Sequence, residues 1–154
     1  LAPSRMDFAL HLYAMYLRRG DRAKASALFA SAFERARDKQ TVFAARNLYL
    51  QIETDRANAL SKAGKLDEAA AVVREIAAVT NDPLARRELE QQAAQLAATA
   101  TVNQHIQIYN QAIAAVAKGR KREAAKLLDD LLRVATDAQV VRDAQRLRKD
   151  LRMQ

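Results

Sequence analysis

Residues 64–82 read GKLDEAAAVVREIAAVTND, and the same skeleton occurs at two other places in the chain. In each copy a glycine is followed by an alanine five residues later, an apolar residue nine later and an aspartate eighteen later. The three series are Gly20, Ala25, Phe29, Asp38; then Gly64, Ala69, Val73, Asp82; then Gly119, Ala124, Leu128, Asp137. The match runs on to Ala45, Leu89 and Ala144, and to Ile52, Leu96 and Leu151. Self-similarity at this scale marks one supersecondary unit stacked on itself. Stacked helical repeats act mainly by presenting a surface, so the pattern argues for a class of function and leaves the ligand open.

Composition agrees with a helical chain. Half of the 154 residues are apolar but only 5% are aromatic, and alanine dominates. All three glycines sit at the repeated position, with only two prolines elsewhere. The residues between them are mostly strong helix formers. There is no cysteine, which excludes disulfides, thiolate nucleophiles and cysteine-bound metals. This is neutral on compartment, although the cytoplasm is favoured. No apolar run is long enough to span a membrane. The chain starts at Leu1 without a signal-peptide pattern, as expected of a segment of a longer protein or a processed form. Alanine and arginine richness hints at a bacterial source. The net charge of +8 could favour acidic partners, nucleic acid or anionic lipid. Both signs are interspersed along most helices, which favours the plainer reading of a solvated helical surface rich in arginine.

The expected elements follow from the punctuation. Ser4 after Pro3 caps a first helix that runs to about Arg19, with Phe8, Leu12, Tyr13, Tyr16 and Leu17 on its apolar face. Gly20-Asp21 turns into a second helix, about Arg22 to Arg37. Asp38 caps a third, about Gln40 to Ala63, and Gly64-Lys65 turns into a fourth, about Leu66 to Val79, which buries Val79 at its end. Asp82-Pro83 joins an N-cap to proline at the first helical position. The thirty-six residues Pro83–Lys118 could form one helix of about 54 Å. Alternatively, Thr101 caps a new helix. Continuity is favoured because the glycine spacing grows from 44 to 55, and eleven residues are three turns that keep the faces in phase. Gly119 turns into a helix of about Lys121 to Ala135, and Asp137 starts a last one to about Leu151.

The glycine register resembles the tetratricopeptide repeat. That motif places glycine at a helix–helix turn, alanine five later, a large apolar residue nine later and a small or apolar one twelve later. Leu12, Tyr16, Gly20, Ala25, Phe29 and Ala32 fit it best. Ala57, Leu60, Gly64, Ala69, Val73 and Ile76 form a second unit, and Ala112, Ala115, Gly119, Ala124, Leu128 and Leu131 a third. The family's period of 34 is exceeded by both spacings here. The expectation is therefore an all-α, single-domain chain over residues 1–154: a short α-solenoid of about three such units with lengthened helices and a capping helix.

The resemblance implies a non-catalytic protein–protein interaction or scaffolding module. It would bind a protein or peptide segment on a concave face lined by the first helix of each unit. Carried over position by position, the partner-binding residues are His11 and Arg18; Gln51, Asp55, Asn58 and Lys62; and Tyr109 and Asn110. Asp7, Ala14, Thr54, Ile106 and Ile113 line the same face. Leu10 and Ala14 stand where a carboxylate clamp would need lysine and asparagine, so capture of a partner's C-terminus is not implied. No cofactor is implied. Two rivals remain. Nucleic acid could meet the basic cluster Lys118, Arg120, Lys121 and Arg122, where no aromatic is interleaved for stacking. The stack could also self-associate as a homo-oligomer. His11 and His105 lie in no metal-binding spacing and read as surface or groove residues.

Overall fold

The computed structural model describes residues 5–35 and 38–153, and these residues are all-helical. The helices are α1 (Arg5–Arg19), α2 (Arg22–Leu28), α3 (Lys39–Lys62), α4 (Leu66–Ala78), α5 (Pro83–Ala117), α6 (Lys121–Val134) and α7 (Ala138–Met153). A π-helical turn, Phe29–Glu34, continues α2. It stops short of the α-helix expected to Arg37, which lies outside the described residues, as does the expected Ser4 cap. Residues 83–117 form one helix, so Thr101 is not a cap. Its hydroxyl donates instead to the Ala97 carbonyl at 3.1 Å, one turn back.

The three glycine turns share one geometry. Gly20, Gly64 and Gly119 have φ of 74°, 76° and 72°. Each glycine N–H donates to the carbonyl three residues back, on Leu17, Ser61 and Val116, at 2.9–3.1 Å. The next N–H reaches five residues back, from Asp21, Lys65 and Arg120 to Tyr16, Leu60 and Ala115, at 2.8–2.9 Å. This pair of bonds satisfies carbonyls that a helix end otherwise leaves open. The residue after each glycine is the N-cap of the following helix, and its carbonyl accepts from Ala25, Ala69 or Ala124 at 3.0–3.1 Å. The aspartates complete the pattern. Asp38, Asp82 and Asp137 accept from the backbone N–H two residues on, at 2.9, 3.0 and 3.0 Å.

Glycine is required at these turns for its backbone freedom, since nothing lies within 4 Å of a Cβ added at Gly64. Gly64→Ala is expected to destabilise the chain by about 1 kcal/mol through left-handed strain alone. Chemical denaturation measures this, and an unchanged or raised midpoint would refute the strain argument.

The chain divides into two compact units, residues 1–94 and 95–154. In the first, Tyr13, Ala14 and Leu17 of α1 pack with Ala25, Phe33, Ala45 and Ile52. Phe33 is fully buried, and its ring meets Tyr13 edge-on at 5.4 Å and Phe29 at 5.7 Å. α4 packs on α3 and buries Ala69, Ala70, Val72, Val73, Ile76 and Ala77. The alanines let helix axes approach closely, and the few aromatics fill what remains. In the second unit, Ala112 of α5, Leu128 and Leu131 of α6, and Val140 and Ala144 of α7 form the core.

Three expectations fail on burial. Phe8 and Val79, read as core, are 65% and 57% exposed. Phe8 lies in the first turn of α1 on the face opposite Tyr13, Ala14 and Leu17, while Met6, Ala9 and Leu10 beside it pack on the core. Val79 is the C-cap of α4, where the helical stripe has already ended. His105, read as a surface or groove residue, is buried on α5. Its position follows the register of Ala112, seven residues on, which faces the core.

Candidate partner-binding surface

α1 and α3 meet along a polar recess of about 360 Å³ in the first unit, lined by Arg18, Gln51, Ile52, Asp55 and Arg56. Three of these, Arg18, Gln51 and Asp55, are among the residues that the repeat resemblance assigned to partner binding. Gln51 and Asp55 lie one turn apart on α3, so both side chains reach the same side. Arg18 comes from the last turn of α1. Neither Arg18 nor Asp55 makes an ion pair among the described residues. A guanidinium, a carboxylate and an amide thus face one recess, able to bond a peptide backbone and opposite charges.

The recess has a fixed wall that sequence reasoning missed. Glu53 is 1% exposed on α3, although glutamate is rarely buried unless paired. Arg56 Nη1 donates to both Glu53 carboxylate oxygens, at 2.9 and 3.2 Å, and Arg22 Nη2 approaches one at 3.4 Å. Arg56 also donates to the Leu17 carbonyl, and Arg22 pairs with Glu75. This network joins α1, α2, α3 and α4 around one carboxylate. The Leu17 carbonyl belongs to the α1 C-terminal turn, so Arg56 also complements the negative end of a helix dipole. Periodicity gave a signal only in hindsight: Glu53 follows Ile52, and both face inward between α1 and α4.

The other assigned residues are placed separately. His11 is exposed on α1, and Asn58 and Lys62 are exposed on α3 beyond the recess lining. Tyr109 and Asn110 belong to the second unit, where Tyr109 packs against the Ala112–Leu128 core and Asn110 is exposed. Lys118, Arg120, Lys121 and Arg122 are exposed around the Gly119 turn, and Arg120 pairs with Glu123 at 3.6 Å. On the same unit Arg148 makes a two-pronged bond to Asp129, at 2.7 and 3.0 Å, which holds that carboxyl below its ordinary range.

A second hollow in the first unit, of about 740 Å³, is more apolar. Tyr13, Phe29, Phe43, Tyr49, Leu50 and Val79 contribute to its lining. Burial, reinforced by Tyr49 and Glu53, pushes the Tyr13 hydroxyl up to about 12, so it stays neutral at physiological pH. No set of three or more His, Cys, Asp or Glu side chains among the described residues is arranged to hold a metal ion. No helix of the described residues is long and apolar enough to cross a membrane. Comparison with protein-family models, curated proteins and solved structures finds no match.

Proposed function

We propose that this chain is a tetratricopeptide-like interaction module, a short stack of helix pairs that binds an extended segment of a partner protein without catalysing a reaction. The observation that supports it is the triple recurrence of one stop–turn–start geometry at Gly20, Gly64 and Gly119. Equivalent hinges make α1/α2, α3/α4 and α5/α6 equivalent pairs. In such a stack the first helices line the groove, and the α1–α3 recess carries uncommitted polar groups on that lining. Arg18 meets a carboxylate of the ligand, Asp55 a basic group, and Gln51 the peptide backbone.

The test is selection of peptides from a displayed random library by the intact chain. Selected peptides should lose about tenfold or more in affinity when Arg18, Gln51 and Asp55 are replaced together by alanine, a loss of about 1.4 kcal/mol or more. The control pair Lys121→Ala/Arg122→Ala should bind as the parent does. Failure to enrich any peptide, or enrichment that ignores the triple variant, removes the recess assignment.

A further inference from the structure

Residues 91–117 contain no Asp, Glu, Lys or Arg, although 29% of the chain is charged. Within the second unit this neutral stretch presents a regular face on α5. Thr99, Asn103, Ile106, Asn110, Ile113 and Ala117 recur at alternating spacings of four and three, and all are exposed. Ile106 and Ile113 are 41% and 44% exposed, whereas Ala112 and Ala115 on the inward side are buried. Alternating spacings of three and four give the 3.5-residue period of a coiled-coil seam. Here the seam alternates isoleucine with asparagine, and no partner covers it in the single chain.

We propose that this seam pairs two copies of the chain, side by side and in register. Three observations choose a second copy over another occupant. The chain carries a net charge of +8, so most approaches between copies are repulsive. The α5 face is a long strip from which that repulsion is absent. Its chemistry is also self-complementary. Parallel pairing sets Ile106 against Ile106 and Ile113 against Ile113. Asn103 and Asn110 then meet their own counterparts, and each amide both donates and accepts. A slip of three or four residues would set asparagine against isoleucine and bury an unpaired amide. A seven-residue slip, which keeps like against like, would forfeit one of the two asparagine pairs and one of the two isoleucine pairs, so the in-register pairing is favoured. Such an interface is isologous and closes at two copies. The seam spans nineteen residues, about 28 Å, so the dimer is weak and reversible.

Sedimentation equilibrium of the full chain, from micromolar to several hundred micromolar, tests this. A reversible monomer–dimer transition is expected. Ile106→Lys/Ile113→Lys should weaken it at least tenfold while circular dichroism stays unchanged, because both side chains are exposed. A second variant tests the register independently of affinity. The chain has no cysteine, so Asn110→Cys introduces a single thiol that should oxidise to a disulfide-linked dimer much faster than Lys121→Cys. Ile106, Asn110 and Ile113, which the repeat resemblance placed on the partner-binding face, are thereby given to the second copy, and peptide binding rests on the α1–α3 recess alone. The Arg18, Gln51 and Asp55 triple variant should therefore dimerise as the parent does. A monomer at every concentration overturns the proposal. So does a dimer indifferent to the two lysines, cross-linking no faster at Asn110 than at Lys121, or a dimer lost with the recess variant.

Discussion

Arg56→Ala is expected to lower the stability of the first unit by about 3 kcal/mol. Glu53 is 1% exposed, and its strongest partner is the Arg56 guanidinium at 2.9 Å. Removing that partner leaves a carboxylate facing the interior with Arg22 alone, at 3.4 Å, to balance it. The loss sits at the low end of the range for breaking a buried pair because Arg22 remains. Arg56 also holds the Leu17 carbonyl, so α1 loses an anchor to α3. The double replacement Glu53→Leu/Arg56→Met tests the reason as well as the size. It removes the buried charge together with its partner and should be less destabilised than Arg56→Ala, because packed apolar groups of similar volume can replace a buried pair. Urea denaturation of all three proteins decides. A double variant worse than the single one would show that the ion pair contributes through geometry that apolar packing cannot supply.

Phe33→Ala is expected to cost about 4 kcal/mol, the larger of the two effects. Phe33 is fully buried and is the largest side chain so buried among the described residues. It sits in the π-helical turn and closes a three-ring cluster with Tyr13 and Phe29. Aromatics are scarce in this chain, and half of the other buried residues in its cluster are alanines (Ala14, Ala25 and Ala45), which have no length with which to collapse into a cavity. Phe33→Leu keeps most of the volume and should lose clearly less. A thermal or denaturant midpoint shift no larger for Phe33→Ala than for an exposed control such as Phe8→Ala would refute the central place given to this ring.

The helix boundaries were legible because they are local. Each depends on a glycine, an aspartate or a proline whose bonds span a few residues, and α3, α4, α6 and α7 end within about two residues of expectation. The continuity of α5 was legible from phase: an eleven-residue extension preserves the face. Burial was less legible wherever it depended on a distant neighbour. The burial of Glu53 becomes visible only when Arg22, thirty-one residues away, joins Arg56, one turn along the same helix, around its carboxylate. Val79 falls at the α4 C-cap, past the buried stripe, and Phe8 lies on the α1 face opposite Tyr13, Ala14 and Leu17, which apolar spacing of three and four did not separate from the core face. His105 is inward because of its register with Ala112, which a polar side chain conceals. Of the candidate site, Arg18, Gln51 and Asp55 converge because their helical spacing places them on adjoining faces. Asn58 and Lys62 continue the α3 surface past the point where α1 faces it. The apolar hollow around Phe43, Leu50 and Val79 was missed because an exposed apolar side chain has the same sequence signature as a core one.

Every bond that stops, turns and restarts the chain at Gly20, Gly64 and Gly119 joins residues no more than five apart. The corners therefore need no distant contact to form. Loop closure costs little at such short range, so each corner can assemble early, before the buried ion network or the aromatic cluster exists. The same locality limits damage. A lesion in one corner loosens the two rods it joins and leaves the chemistry of the other corners intact, so the chain can lose order piecemeal instead of all at once.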